Sequence, residues 1–342
     1  MKTNSYIALM VRGVVSFAFA AGAPTQPPQP ETGPGGKDYP HAELVAHSYG
    51  EGDQEFWLFE PANPVPKSAP VIIFNHGWGA MNPNPYGAWI KHLVQRGNIV
   101  IYPVYQASRL TRMKEFLPNA IGAVKAAFSE LEKPGHVAPE LDHVAIVGHS
   151  MGAEMTPYIA ALAAAEGLPV PSALCCVQPG GNADPEVPDN EMPRPDLSKI
   201  PATTLALVIV GDQDHIAGDG KAKLIYGGLK QIPAERKSYI TLISDDHGMP
   251  ALVGNHFAPV AMENIVPQQE KTGPIRELAS KRMQPHSASA LDYFGIWKLF
   301  DGLTDAAFYG KNGKYALGNT AEQKYMGKWS DGTPVKELKV EP

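Results

Sequence analysis

The chain has 342 residues, of which 44% are hydrophobic, and a formal net charge of −6. This length is enough for one large α/β domain or two small ones. The negative balance and the lack of a basic run argue against a nucleic-acid partner. Because no apolar stretch reaches the thickness of a bilayer, we expect no stable membrane anchor.

The N-terminus has the pattern of an export signal. Basic residues precede a short apolar run at 14–20, which ends in small residues. This order is typical of a secretory signal, so residues 1–23 are predicted to be a signal peptide and the protein to be secreted or periplasmic. Residues 24–36 are rich in proline and glycine and are interpreted as a linker. The remainder, residues 37–342, is predicted to form a single domain.

Apolar segments alternate with amphipathic ones through the centre of the chain. The predicted strands cover residues 43–49, 55–60, 71–74, 99–104, 144–147, 173–177, 205–210 and 239–243. The predicted helices cover residues 86–95, 120–131, the segment directly after residue 150, and 288–300. The first two strands are expected to pair in antiparallel fashion, and 239–243 is expected to be the last strand. Because the later strands are apolar throughout and helices separate them, we predict a mostly parallel central sheet with helices on both faces, an α/β fold.

Two further segments lack a regular pattern. Residues 179–204 contain many prolines and acidic side chains, and they follow a strand on the side where α/β active sites open. They are interpreted either as a loop or small cap over the pocket, or as a solvated insertion. Residues 310–342 form a C-terminal extension without a chemical motif. Cys175 and Cys176 are adjacent in an apolar stretch, so we expect buried thiols rather than a disulfide.

The strongest chemical signal is a serine between a predicted strand and a predicted helix. Gly148, His149, Ser150, Met151 and Gly152 follow the apolar strand directly. The two glycines allow a sharp turn that a Cβ would block. Free N–H groups at the helix N-terminus would favour negative charge beside the serine. This arrangement is typical of the nucleophile of a serine hydrolase; the alternative is a tight turn with Ser150 as the helix N-cap.

Acyl transfer at Ser150 needs backbone donors for the oxyanion. One is the N–H of the residue after the nucleophile, here Met151, and the second comes from the loop after an earlier strand. Residues 75–79 (NHGWG) follow the strand at 71–74, and Trp78 occupies the position of the second donor. The alternative is an ordinary glycine turn with a core tryptophan.

Four further side chains are candidate substrate contacts. Tyr105 and Gln106 end a predicted strand near the expected crevice, where simple packing is the alternative. His149 directly precedes the candidate nucleophile. His247 follows the last predicted strand, and it would line the pocket or bond to a neighbouring aspartate if it is not the base.

A serine nucleophile also needs a base, and the base needs a carboxylate, in the chain order serine, acid, histidine. Asp212 and Asp214 follow the strand at 205–210, and Asp214 is favoured because it lies further past the strand end. His247 and His256 are both candidates for the base, and spacing alone does not choose between them. These side chains could also ligate a metal, so a metal-dependent hydrolase is an alternative, although no metal or cofactor is expected.

Several motifs together resemble one enzyme family. GHSMG at 148–152, HGWG at 76–79, GDQDHIA at 211–217 and HFAP at 256–259 are similar to motifs of bacterial cutinases and polyester hydrolases. These enzymes form part of the dienelactone-hydrolase-like branch of the α/β-hydrolases. The order of elements agrees over roughly residues 70–305, with close identity only at the motifs. The resemblance implies the α/β-hydrolase fold and the activity of a serine esterase.

In this branch the catalytic histidine precedes Phe-Ala-Pro, and the acid precedes a short x-Ile-Ala segment. The resemblance therefore implies His256 as base and Asp214 as acid, with the oxyanion donors at Trp78 and Met151. It also implies a small-molecule or polymeric ester as substrate. Residues 178–181 replace an aromatic residue of the branch, and its C-terminal cysteines are lacking. These departures argue against a polymeric substrate more strongly than they argue against ester hydrolysis itself.

Two wider alternatives follow from the residues alone. The same triad cleaves lactones, thioesters and amides. The fold also serves as a non-catalytic binding module, although such proteins often lose the serine, the histidine or the oxyanion glycines.

Overall fold

The computed structural model describes residues 22–180, 190–267 and 287–341, and the predicted signal peptide lies outside them except for its last two residues. One nine-stranded sheet runs through the described part of the chain. Its strands are β1 (Glu43–Tyr49), β2 (Phe56–Ala62), β3 (Ser68–Asn75), β4 (Ile99–Pro103), β5 (Ala138–His149), β6 (Ala173–Val177), β7 (Leu205–Gly211), β8 (Lys237–Leu242) and β9 (Lys339–Glu341).

The strand order is β1-β2-β4-β3-β5-β6-β7-β8-β9. The six strands from β3 to β8 are parallel, while β2 runs antiparallel to both of its neighbours and β9 runs antiparallel to β8. Every residue of β4 and β6 is buried, as expected for strands covered on both faces. The predicted α/β-hydrolase fold class, a mostly parallel sheet with helices on both faces, is confirmed.

Helices cover the two faces of the sheet. They are α1 (Gly87–Gln95), α2 (Met113–Leu131), α3 (Met151–Leu162), α4 (Gly220–Gly228), α5 (Trp297–Tyr309) and the short α6 (Ala321–Lys324), with a π-helical turn over Leu291–Ile296 before α5. Side chains of α2, α3 and α4 pack in one apolar cluster, and those of α1 and α5 pack in a second. Alternate residues of β3 enter the two clusters, because successive side chains of a strand point to opposite faces.

The expectation that residues 239–243 form the last strand is wrong, because β9 follows it in the sheet. β9 is only three residues long, and none of them is fully buried. A strand this short and polar has no apolar run that would predict it from sequence. It is held by its pairing with β8, which is a tertiary contact.

Residues 24–36, interpreted from sequence as a linker, lie against the domain and are named here the N-terminal strap. The carbonyl of Pro24 accepts a hydrogen bond from the N–H of Met249 at 2.8 Å. The N–H of Gly35 donates to the buried carboxylate of Asp301 at 2.7 Å. The linker interpretation therefore needs correction, since proline and glycine are also common in an extended segment whose backbone is bound along its length.

Residues 310–341, the described part of the predicted extension, are named here the C-terminal segment. Trp329 is 1% exposed and lies in the same apolar cluster as α1 and α5. The segment is therefore part of the folded domain. Of the predicted cap, residues 181–189 lie outside the described residues, and the cap interpretation stays a prediction. No helix in the described ranges has both the length and the apolar character needed to span a bilayer.

Candidate active site

Ser150 lies at the sharp turn between β5 and α3. Its backbone has φ 56° and ψ −120°, a region that residues with a Cβ rarely adopt. A Cβ on Gly148 would lie 2.3 Å from the carbonyl oxygen of Gly152, and a Cβ on Gly152 would lie 2.1 Å from the carbonyl oxygen of Asn75. The N–H of Ser150 donates to the carbonyl of Val177 at 3.1 Å. The surrounding backbone thus holds the serine in a strained conformation, and both glycines are required for it.

Three of the predicted side chains meet at this turn. His256 Nε2 lies 2.9 Å from Ser150 Oγ, and His256 Nδ1 lies 2.8 Å from Asp214 Oδ2. The second carboxylate oxygen of Asp214 accepts the backbone N–H groups of Ile216 and Ala217 at 3.0 and 2.9 Å. Both Asp214 and His256 are 6% exposed. The structure therefore brings Ser150, His256 and Asp214 into one hydrogen-bonded line.

The charge of Asp214 determines how His256 is protonated. Burial raises the pKa of Asp214, but the hydrogen bonds from His256 and from the N–H of Ala217 outweigh it and lower the pKa overall. The carboxylate is therefore ionised at neutral pH and can only accept. His256 Nδ1 must carry the proton that Asp214 accepts, so in the tautomer with a single N–H the Nε2 atom faces Ser150 as an acceptor.

Asp212, the other candidate acid, has a different position. Its carboxylate accepts the backbone N–H of Ser244 at 2.9 Å and also the Ser244 hydroxyl. The same hydroxyl accepts the N–H of Gly254 at 2.9 Å. Asp212 therefore ties its own loop to the segment that carries His256.

His247, the other candidate base, is not brought to the serine. Its Nε2 lies 2.8 Å from a carboxylate oxygen of Asp331, in the C-terminal segment, and the side chain is 38% exposed. Its backbone N–H donates to Asp245 at 3.1 Å. Among the described residues, no group of three or more histidine, cysteine, aspartate or glutamate side chains is arranged to hold a metal ion.

The loop of residues 76–80, named here the oxyanion loop, follows β3. Trp78 is 48% exposed, and the guanidinium of Arg109 lies 5.0 Å from the centre of its ring. The N–H of Gly77 donates to the Tyr86 hydroxyl and the N–H of Gly79 donates to Gln106 Oε1, both at 2.9 Å. The N–H of Trp78, between them, donates to no described residue, and the same holds for the N–H of Met151 at the start of α3. Both donors remain available to a ligand.

The candidate substrate contacts Tyr105, Gln106 and His149 are 0%, 0% and 3% exposed. Tyr105 donates its hydroxyl proton to the carbonyl of His76 at 2.6 Å, and its ring stacks on His76 at 4.1 Å. Tyr105 is therefore packed inside the protein, which was the alternative interpretation of this residue. These side chains support loops of the site rather than forming an open surface.

Sequence reasoning missed two residues that organise the site. Tyr86 bonds to the oxyanion loop, and Ser244 joins the loops that carry Asp214 and His256. Each is an ordinary polar residue outside any recognisable motif. Only the three-dimensional arrangement identifies them.

Comparison with known proteins agrees with the fold. Residues 58–192 match the family model of chlorophyllase. Chlorophyllases are α/β-hydrolases, so the match supports membership of that superfamily and indicates a hydrolase of the esterase type. The matched span includes Trp78, Ser150 and Met151 but ends before Asp214 and His256. No curated protein matches the chain.

Proposed function

We propose that this chain is a serine hydrolase that cleaves carboxylic esters through an acyl-enzyme intermediate. One observation carries the proposal: the line of hydrogen bonds from Asp214 through His256 to Ser150, at 2.8 and 2.9 Å. Serine becomes a useful nucleophile only beside a base, and the base needs an orienting carboxylate. The match to the chlorophyllase family, which indicates an esterase, supports the same conclusion.

The proposed reaction has two halves. Ser150 Oγ attacks the ester carbonyl while His256 Nε2 takes its proton, and Asp214 stabilises the imidazolium that forms. The N–H groups of Trp78 and Met151 bind the oxyanion. Collapse of the tetrahedral intermediate expels the alcohol, which His256 protonates. His256 then activates water to hydrolyse the acyl-enzyme and returns the proton to Ser150.

Exposed apolar side chains support a substrate with an apolar acyl or alcohol part. Trp78, Leu110, Ile216 and Met249 are 48%, 90%, 63% and 66% exposed. They lie on the loops after β3, β4, β7 and β8, at the sheet edge where parallel α/β sheets bind ligands. We propose that these loops hold the carbon chain of the ester, as expected of an enzyme like the cutinases, lipases or polyesterases.

Covalent labelling tests the nucleophile. A fluorophosphonate probe should label the folded wild-type protein and the Ser198→Ala control, whose serine is exposed on another loop. Ser150→Ala should not be labelled and should lose at least about 10³-fold in turnover, because the covalent step is removed. Labelling of Ser150→Ala to the wild-type extent would refute the proposal.

A substrate panel tests the ester class. Hydrolysis of p-nitrophenyl esters should rise from acetate to medium chain lengths if apolar loops bind the chain. A polyester film and chlorophyll belong in the same panel, since they represent the resembling enzymes and the matched family. Turnover that falls steadily with chain length would exclude an apolar binding surface.

We also propose that the protein is exported, on the basis of the signal-like residues 1–23. Hydrogen bonds of the N-terminal strap begin at Pro24 and Thr25, so cleavage before them would leave the strap attached. The N-terminus of the protein recovered from the medium or periplasm should start within about four residues of position 22. A protein that retains residues 1–20 in the cell would contradict export.

A further inference from the structure

A buried chain of polar groups lies beside the triad and has no part in the proposed reaction. The N–H of Gly77 lies 2.9 Å from the hydroxyl of Tyr86. That hydroxyl lies 2.8 Å from His149 Nδ1, and His149 Nε2 lies 2.8 Å from the carbonyl oxygen of His256. Tyr86 and His149 are 2% and 3% exposed.

The direction of every bond in this chain is fixed by chemistry. Burial, together with the nearby His256, lowers the pKa of His149 to about 3, so the imidazole is neutral and has one N–H. A carbonyl can only accept, so this N–H is on Nε2 and donates to His256. His149 Nδ1 therefore accepts from the Tyr86 hydroxyl, whose oxygen accepts from Gly77. Each group has one arrangement, and none can reverse without breaking a buried bond.

This series of hydrogen bonds ends at the two parts of the site that must be aligned with Ser150. At one end, Tyr86 binds the N–H of Gly77, the residue directly before Trp78. Separately, Gln106 binds the N–H of Gly79, the residue directly after Trp78. The proposed oxyanion donor is thus the free N–H between two anchored ones. The other end holds the backbone of His256, the proposed base. His149 lies between these two ends and is the residue directly before Ser150 in the sequence.

We infer that Tyr86 and His149 are positioning residues that couple the oxyanion loop to the base across the nucleophile. The inference rests on the proposed function. Neither side chain has a hydrogen bond to Ser150 Oγ or to the ring nitrogens of His256, although the His149 ring packs beside the His256 ring with their centres 4.9 Å apart. They keep the Trp78 N–H and the imidazole of His256 in register with Ser150, where a misplacement of about 1 Å costs on the order of 100-fold in rate.

A double-mutant cycle tests the coupling. Tyr86→Phe removes the hydrogen bonds to Gly77 and to His149. In His149→Asn, the asparagine side chain is too short to reach the carbonyl oxygen of His256. Each variant should lower kcat per active site about 10- to 100-fold with little change in KM. Because both variants interrupt one chain, the double variant should lose clearly less than the product of the two single losses. Active sites are counted by titration with the fluorophosphonate probe.

Tyr239→Phe is the matched control, since the Tyr239 hydroxyl is buried and has no partner among the described residues. It should keep kcat within about twofold of wild type. Wild-type kcat in Tyr86→Phe, or losses that multiply in the double variant, would overturn the coupling while leaving the proposed function intact. A wild-type protein that is not labelled at Ser150 would overturn both. If His149→Asn does not fold, Tyr86→Phe decides alone.

Discussion

His247 and His256 lie on the same segment after β8, and their spacing from the preceding strand does not choose between them. In the structure the two histidines have different hydrogen-bond partners. His256 is 6% exposed and lies between Ser150 and Asp214. His247 extends to the surface and pairs with Asp331. A base must have its acceptor nitrogen within hydrogen-bonding distance of the nucleophile, and of these two histidines the structure gives that contact to His256.

Single replacement of the two histidines should give opposite results. His256→Asn is expected to lower kcat by at least about 10⁴-fold, because the proton of Ser150 then has no acceptor. His247→Asn should stay within about threefold of wild type, because its side chain contacts Asp331 at the surface and not Ser150. Turnover of a p-nitrophenyl ester by protein of verified fold measures both. A larger loss at His247 would reassign the base.

The strand–turn–helix of β5, Ser150 and α3 has little room for added atoms. Gly152 is in the first turn of α3, against the backbone of Asn75, at the end of β3, and of His76, in the oxyanion loop. Close backbone contact at this point allows the helix N-terminus and the oxyanion loop to approach the same point. A side chain on Gly152 would push the two proposed donors apart.

Gly152→Ala should therefore destabilise the protein, although alanine is normally the better helix former. With 2.1 Å to a backbone oxygen, the new methyl group has no room, and the expected cost is about 1–3 kcal/mol or more. Gly227→Ala, in α4, is the matched control because a Cβ there has no atom within 4 Å. It should be neutral or stabilise by up to about 1 kcal/mol. Urea unfolding compares the two, and equal effects would contradict the steric account.

Elements with a strong local signal are the ones that the sequence predicts. Strands such as β4 and β6 consist of apolar residues, and this composition predicts that they are buried. The central sheet is therefore predictable from the sequence. The three side chains that the structure brings together were selected by motif order and by the resemblance. α4 was missed because it has few buried side chains and a glycine at each end. Tyr86 was missed because its role is a long-range contact with no local pattern.

At the scale of the whole molecule, the N-terminal strap and the C-terminal segment both contact the stretch between β8 and His256. In the strap, Pro24 accepts the N–H of Met249. In the C-terminal segment, Trp329 Nε1 and the N–H of Lys336 donate to Asp245 at 3.0 and 2.9 Å. Burial raises the pKa of Asp245, but these hydrogen bonds outweigh it and lower the pKa. The segment that carries the proposed base is therefore supported by the N-terminal strap and by the C-terminal segment, so neither of these two segments is a free tail.

We expect the buried Lys298 to make the stability of the folded domain depend on pH. It is 3% exposed, and its ammonium donates to the carbonyls of Gln323 and Tyr325 in the C-terminal segment. Burial lowers its pKa from 10.5 to about 7. Between these two values the unfolded chain binds a proton that the folded protein does not, so this group makes stability rise with pH across the window.

Lys298→Met should remove that dependence. The free energy of unfolding of the wild type, relative to Lys298→Met, should increase from pH 7 to pH 10 with a slope approaching about 1.4 kcal/mol per pH unit. Lys311→Met is the control, because Lys311 is exposed in the same segment, and it should follow the wild-type pH curve. Urea unfolding at a series of pH values measures all three proteins. Parallel curves for wild type and Lys298→Met would show that the buried amine keeps its proton, and that its charge is stabilised by the two carbonyls.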